Sequence, residues 1–177
     1  MNGGAKNKGT IFSIDPKTGA ETVLHSFSHI GMDGVGPSAG STNVDHKLFG
    51  TTCFGGEFNR GTVFSFDLTS GTERVLHRFN KDGQDGRCSY SDLIDVGGTL
   101  YGMTIRGGAG KCYKKSGCGT VFSVDETTGE ETVVQFFDGY DGGYPYGGGM
   151  ILRSGVLYGM TSFGGTYGGG VVFSIAP

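Results

Sequence analysis

One strand motif occurs four times and decides the fold: GTIFSID starts at Gly9, GTVFSFD at Gly61, GTVFSVD at Gly119 and GVVFSIA at Gly170. In each copy the Phe and the apolar or small residue two positions later fall on one face, which is the period of a β-strand. The copies recur about every fifty residues, and such a period indicates a tandem repeat of one small unit.

Other motifs recur in the same phase. They are LFGTT or LYGMT (from Leu48, Leu100 and Leu157), a GG pair (Gly55, Gly107 and Gly164) and an ExVLH-like segment (from Glu21, Glu73 and Glu131). One unit then holds four strands, which start near Tyr90, Thr99, Thr120 and Glu131. No window has helical periodicity, because glycine interrupts each one. The sequence therefore predicts an all-β, propeller-like array of four-stranded antiparallel blades.

The repeat runs through the whole chain, so we predict a single repeat domain, 1–177. Its units are approximately 9–60, 61–118 with an inserted loop at 111–118, and 119–169, followed by an extra strand at 170–176. Propellers have about four to eight blades. About three repeats are therefore expected to belong to a larger propeller or assembly, with its edges at Phe12, Ile14, Phe173 and Ile175.

Composition excludes some classes of protein. The 14 Lys and Arg residues against 17 Asp and Glu give a net charge of -3, so neither charge-driven disorder nor a nucleic-acid partner is expected. No segment approaches the ~20 apolar residues of a membrane span. The start of the chain, MNGG, has no signal-peptide features.

The combination of LYGMT, GG, GTVFSFD, SGTERVLHRF and DG resembles the GloVer tandem repeat, over nearly the whole chain. The order of these motifs is also similar to that of a kelch repeat, although the chain has no Trp. The GloVer resemblance implies a β-propeller in a secreted or surface-associated protein. A virus particle is an alternative setting. It brings no catalytic residues.

The four cysteines form an even set. Cys112 and Cys118 flank YKKSG in the inserted loop, and we predict that they form a small disulfide hairpin. Cys53 and Cys88 remain either a second pair or free thiols, depending on the redox compartment. Zinc ligation is disfavoured, because the chain has no C-x2-C motif.

Paired aspartates recur beside glycine. Asp82 and Asp85 occupy positions equivalent to Asp138 and Asp141, and Asp33 fills the same position in the first unit. Asp-Gly segments favour tight turns, and this is the preferred interpretation. The four paired aspartates are also weak candidates for Ca²⁺ ligands. No other cofactor is expected.

The segment around the inserted loop is locally basic within an acidic chain. It contains Arg106, Lys111, Tyr113, Lys114 and Lys115. Such a segment is typical either of a solvated loop or of a contact for an acidic protein or glycan. Further tyrosines near glycine-rich connections suit sugar stacking or a protein interface.

No catalytic constellation is evident. His25 and His77 alternate with apolar strand residues, and Gln135 takes their place in the third unit, so packed and hydrogen-bonded side chains are expected. We therefore predict a non-enzymatic structural or interaction module whose partners are other blades, copies of itself, a protein or a glycan. The alternative is a propeller enzyme, or a small-ligand or Ca²⁺-binding domain, with its site at the central channel.

Overall fold

The computed structural model describes residues 3–28, 32–82, 84–112 and 116–177. Within these residues the chain forms sixteen β-strands and no α-helix, so the all-β prediction is confirmed. The same residues contain no helix with the length and apolar character needed to cross a bilayer.

Strands β1 to β8 occupy the first half of the chain: β1 (Thr10–Ile14), β2 (Glu21–Ser26), β3 (Gly34–Pro37), β4 (Thr42–Val44), β5 (Lys47–Gly55), β6 (Thr62–Asp67), β7 (Thr72–Arg78) and β8 (Gly86–Arg87). Strands β9 to β16 occupy the second half: β9 (Ile94–Val96), β10 (Thr99–Thr104), β11 (Arg106–Gly107), β12 (Thr120–Asp125), β13 (Glu131–Phe136), β14 (Ile151–Arg153), β15 (Val156–Met160) and β16 (Val172–Ile175).

The strands form antiparallel blades. Strands β4 to β7 pair in chain order, and β9, β10, β12 and β13 form the equivalent sheet. A sheet of β1 and β2 precedes these blades, and a sheet of β14, β15 and β16 follows them. The predicted four-stranded blades are confirmed. The predicted units start at the GTxF motif, and this motif forms the third strand of a blade, as β6 and β12 show. Each predicted unit therefore begins within a blade and ends within the next one.

A glycine and a phenylalanine pair on adjacent strands in each blade, which explains why LYG and VFS motifs recur together. Gly50 pairs with Phe64, and Gly102 pairs with Phe122. A Cβ at Gly102 would lie 2.5 Å from the Cζ of Phe122, so the aromatic ring requires a residue without a side chain there. The ring therefore lies over its partner strand and fixes the register of the pair.

Neighbouring sheets meet at three junctions. The first junction joins β1 and β2 to the β4–β7 blade, the second joins that blade to the β9–β13 blade, and the third joins the latter to β14–β16. At each junction two phenylalanine rings meet edge to face with centroids 5.1–5.3 Å apart: Phe27 and Phe64, Phe79 and Phe122, Phe137 and Phe173. Around the latter two pairs lie the two apolar core clusters of the described residues.

The two end sheets each leave a face uncovered in this chain. On β1, the predicted edge residues Phe12 and Ile14 are 51 % and 54 % exposed. On β16, Phe173 and Ile175 instead pack against the core of the third junction, so the prediction that they form the edge is wrong. Strand alternation turns these two side chains toward the preceding blade and turns the neighbouring residue Val172 outward.

Candidate functional site

Three arginines line one continuous surface of the β4–β7 and β9–β13 region. Strands β8 and β11 pair so that Arg87 lies directly opposite Arg106. Arg60 lines the same depressions as these two residues. We call the surface around these three guanidinium groups the arginine groove.

The arginine pair is specific to this unit. The equivalent strand pair of the preceding unit places Val35 opposite Phe54, and the following unit places Gly143 opposite Phe163. Like charges on directly opposed strand residues destabilise a sheet. The middle unit therefore carries an unfavourable charge pair where both neighbours carry uncharged residues.

Aromatic side chains extend the groove. One part, of about 900 Å³, is lined by Arg60, Arg87 and Lys111. It adjoins a second depression of about 830 Å³, where Arg106 meets aromatic rings. The aromatic residues along the groove are Phe54, Tyr90, Tyr144, Tyr146 and Phe163.

The guanidinium groups of the three arginines are not paired with any described carboxylate. In the part of the chain that the structure describes, Arg60, Arg87 and Arg106 form no ion pair and donate no side-chain hydrogen bond. Burial, followed by the nearby charges of Arg60 and Arg106, lowers the pKa of Arg87 from its ordinary value. The groove is thus a concentrated positive region, although Arg60 interacts electrostatically with Asp82, and Asp85 lines one of its depressions.

The predicted basic loop contributes to this surface in part. Arg106 and Lys111 line the groove. Tyr113, Lys114 and Lys115 lie outside the described residues. Arg60 and Arg87 were not predicted as site residues. A position-by-position alignment of the units, which sets Arg87 against Val35 and Gly143, is the sequence signal that distinguishes Arg87.

Two disulfides hold this region. The predicted bridge between Cys112 and Cys118 is present and closes the inserted loop. Cys53 and Cys88, which the sequence left open, are also bonded. The second bridge connects β5 to the segment after β8 and lies in the wall of the arginine groove. No described cysteine is free.

A second kind of polar cluster recurs where neighbouring sheets meet. The first junction brings together His25 of β2, Asp33 and Glu73 of β7, and the second brings together His77 of β7, Asp85 and Glu131 of β13. In each cluster the three ligand-type atoms lie within 4.8 Å of one another. The histidine and the aspartate come from one repeat, and the glutamate comes from the next.

The aspartate orients each histidine. Nε2 of His77 lies 3.2 Å from Oδ2 of Asp85, which also accepts the backbone N–H of Asn80 at 2.7 Å. Nε2 of His25 lies 3.5 Å from Oδ2 of Asp33. The hydrogen bond with Asp33 raises the pKa of His25. Burial alone would raise the pKa of Asp33, but bonds from His25 and from backbone N–H groups lower it overall.

The pKa values of the two glutamates are raised, in contrast to that of Asp33. Burial raises the pKa of Glu73 to about 7, and the negative charge of Asp33 adds to the increase. Burial likewise raises the pKa of Glu131 to about 7, with the charge of Asp85 as the next contribution. Each glutamate therefore holds a proton far more readily than an exposed carboxyl group does.

The third unit differs. Nε2 of Gln135 donates a 2.8 Å hydrogen bond to Oδ2 of Asp141, and no third group of the His–Asp–Glu type occurs in the described part of the chain.

The paired aspartates predicted as turn residues or Ca²⁺ ligands make turns in the structure. Oδ1 of Asp82 accepts the N–H groups of Gln84 and Asp85, and Oδ1 of Asp138 accepts those of Tyr140 and Asp141.

The chain belongs to the Gloeobacter/Verrucomicrobia repeat family, whose pattern it matches over residues 1–177. No curated protein matches it in sequence.

Among solved structures, the chain resembles TolB from Acinetobacter baumannii with a TM-score of 0.55 and 14 % identity, covering 96 % of this chain and 38 % of that one. It also resembles a chain of a nidogen/laminin complex with a TM-score of 0.55 and 13 % identity, covering 87 % of this chain and 48 % of that one. Both neighbours are β-propeller proteins, so the likeness establishes the fold, and this chain spans less than half of either.

Proposed function

We propose that the chain is a non-enzymatic interaction module of a propeller and that its arginine groove binds an acidic glycan. The observation that carries the proposal is the placement of Arg87 opposite Arg106 on adjacent strands, where both neighbouring units carry uncharged residues. An anion lying across both guanidinium groups converts the repulsion between them into charge-assisted hydrogen bonds.

The shape of the groove favours a chain-like anion. Its depressions share lining residues, so they form one extended surface rather than separate pockets. Tyr90 and Tyr146 stand with ring centroids 5.4 Å apart at its edge, and Tyr146 is 64 % exposed. Exposed tyrosine rings supply stacking surfaces for sugars, while arginines supply planar forks for carboxylate or sulfate groups.

The test is calorimetric titration of the full chain with polygalacturonate, with dextran as the uncharged comparison. The key variant is Arg87→Val with Arg106→Phe, which copies the Val35 and Phe54 pair of the preceding unit. Because that pair already fits an equivalent strand pair, the fold should persist. Affinity for polygalacturonate should fall at least tenfold, since each charge-assisted hydrogen bond contributes about 1.5–3 kcal/mol.

A matched control is Arg153→Gln, which removes one exposed arginine from β14, outside the groove. This variant should bind polygalacturonate as the parent does. Equal binding by the parent and the Val–Phe variant would overturn the proposal. Binding of an acidic peptide such as polyglutamate, without binding of polygalacturonate, would assign the groove to a protein partner instead.

The uncovered end faces support packing of the module against further repeats, either other blades or copies of this chain. Phe12 and Ile14 on β1 and Met160 and Val172 on β15 and β16 are 51–73 % exposed. In the interior junctions the equivalent faces are covered by neighbouring sheets. Light scattering over a concentration series should give a mass above that of one chain, and a monomer at every concentration would contradict this part.

We further propose a secreted or surface-associated setting. Two disulfides in a chain of this length are typical of oxidising compartments. Thiol counting on denatured, unreduced protein recovered from its native compartment should find no free cysteine. Four free thiols would contradict an oxidising setting.

A further inference from the structure

Each His–Asp–Glu cluster leaves buried polar atoms without partners. Oδ1 of Asp85 and Oε1 of Glu131 are buried and make no hydrogen bond at the second junction. Asp85 itself is only 3 % exposed. At the first junction, Oε1 of Glu73 is likewise buried without a hydrogen bond. Buried acceptors of this kind are costly unless a proton or a cation satisfies them.

We propose that the two His–Asp–Glu clusters are zinc sites that tie neighbouring repeats together. Each supplies one imidazole nitrogen and two carboxylate groups, and the ligands come from both sides of a junction. The inference concerns the junctions and does not depend on the arginine groove.

The existing geometry is close to that of a metal site. Two ligands about 2.0–2.2 Å from one zinc ion stand roughly 3–3.5 Å apart. Nε2 of His77 and Oδ2 of Asp85 already stand 3.2 Å apart, and the contributing atom of Glu131 lies within 4.8 Å of both. A small rotation of the glutamate side chain would close the set and leave a position for water.

The donor set favours zinc over calcium. An imidazole nitrogen suits Zn²⁺ and related transition metals, whereas Ca²⁺ takes oxygen ligands in larger number. Two carboxylates and a neutral imidazole balance the charge of a divalent cation. Asp33 and Asp85 are oriented by backbone N–H groups at the same time, which is the support that metal-binding carboxylates need.

The experiment is titration of the chelator-treated full chain with zinc chloride, followed by calorimetry and by thermal unfolding. The expected stoichiometry is two zinc ions per chain, with an increase in Tm. His77→Gln should lower the stoichiometry to one, and His25→Gln with His77→Gln should lower it to zero. Glutamine fits this position, because Gln135 already occupies it beside Asp141.

Two controls separate the junctions from surface binding. His46→Gln removes an exposed histidine, and Glu21→Gln removes the exposed glutamate equivalent to Glu73. Both variants should still bind two zinc ions. If His77→Gln fails to fold, Glu131→Gln replaces the other ligand with an amide of the same shape and should also leave one site.

Failure of the parent chain to bind zinc would overturn the proposal, and the buried carboxyl groups would then be satisfied by protons. Retention of two zinc ions by the doubly substituted His25→Gln and His77→Gln protein would overturn it as well, because binding would then lie elsewhere.

Discussion

Phe12 and Phe122 occupy the same position of the same strand motif, yet their surroundings are opposite. Phe122 is fully buried at the second junction, where its ring meets that of Phe79. Phe12 is 51 % exposed on the uncovered face of β1. The motif therefore encodes an apolar face, and burial of that face comes from the neighbouring repeat. This is the behaviour of a repeat protein, in which interfaces between units supply much of the stability.

The largest expected effect is on the covered side of this comparison. Phe122→Ala should lower the free energy of unfolding by about 3–5 kcal/mol, because it leaves a cavity in a packed core. Phe12→Ala should change it by about 0.5 kcal/mol or less, since its ring contacts mainly solvent. Urea denaturation measures both. Equal losses would show that the face of β1 is covered in solution.

Removal of a disulfide should give the next largest loss of stability. The two bridges should differ, because only one of them spans a junction. Cys53 and Cys88 are 35 residues apart, whereas Cys112 and Cys118 are 6 apart. By loop-closure entropy, the longer bridge stabilises the chain by about 4 kcal/mol and the shorter one by about 2 kcal/mol. Double Cys→Ala variants of each pair, compared by urea denaturation, should show this order. The reverse order would mean that the junction holds without its bridge.

The repeat pattern predicted the blades well, because each strand carries its own alternation and its own glycine signals. The Gly102 and Phe122 pair, for example, joins two adjacent strands of one blade. The sequence did not reveal which side of each end strand has a neighbour. The sequence therefore predicts Phe173 at an edge, although it is half-buried at the third junction, where its ring meets that of Phe137.

The polar sites were harder to predict, because their members come from different units. Glu131 meets His77 only when one repeat is stacked on the next, so no spacing within a unit indicates the cluster. The Cys53–Cys88 bridge poses the same difficulty, since a separation of 35 residues does not give a distance. Arg87 is conspicuous only beside the Val35 of the preceding unit.

The third expected effect is a pH dependence of the covered junctions in metal-free protein. The pKa of Glu131 is raised from 4.5 to about 7 by burial and by Asp85, so the folded state binds its proton more tightly than the unfolded state does. The free energy of unfolding should therefore decrease as the pH rises from about 4.5 to about 7. Glu73 acts in the same direction, and so does His25, whose pKa is also raised.

Glu131→Gln should remove part of this decrease in the free energy of unfolding. The part removed should be on the order of 1 kcal/mol after allowance for solvent screening. Glu21→Gln alters the exposed equivalent of the same motif and should leave the slope unchanged. Urea denaturation at several pH values, in the presence of a chelator, measures both. An unchanged slope in Glu131→Gln would show that this junction does not hold the proton.

The smallest expected effect on stability lies on the outer face of the last sheet. Met160 and Val172 pair across β15 and β16 and are 66 % and 73 % exposed. Met160→Gln with Val172→Thr should change the free energy of unfolding of dilute protein by about 0.5 kcal/mol or less, because these side chains contact little of the chain. Phe173→Ala, on the opposite face of β16 from Val172, should lower the free energy of unfolding by clearly more.

If the outer face packs against another repeat, the double variant Met160→Gln with Val172→Thr should also lower the mass found by light scattering at high concentration. An unchanged mass would show that association does not use this face, and β1 would then be the remaining end face to test.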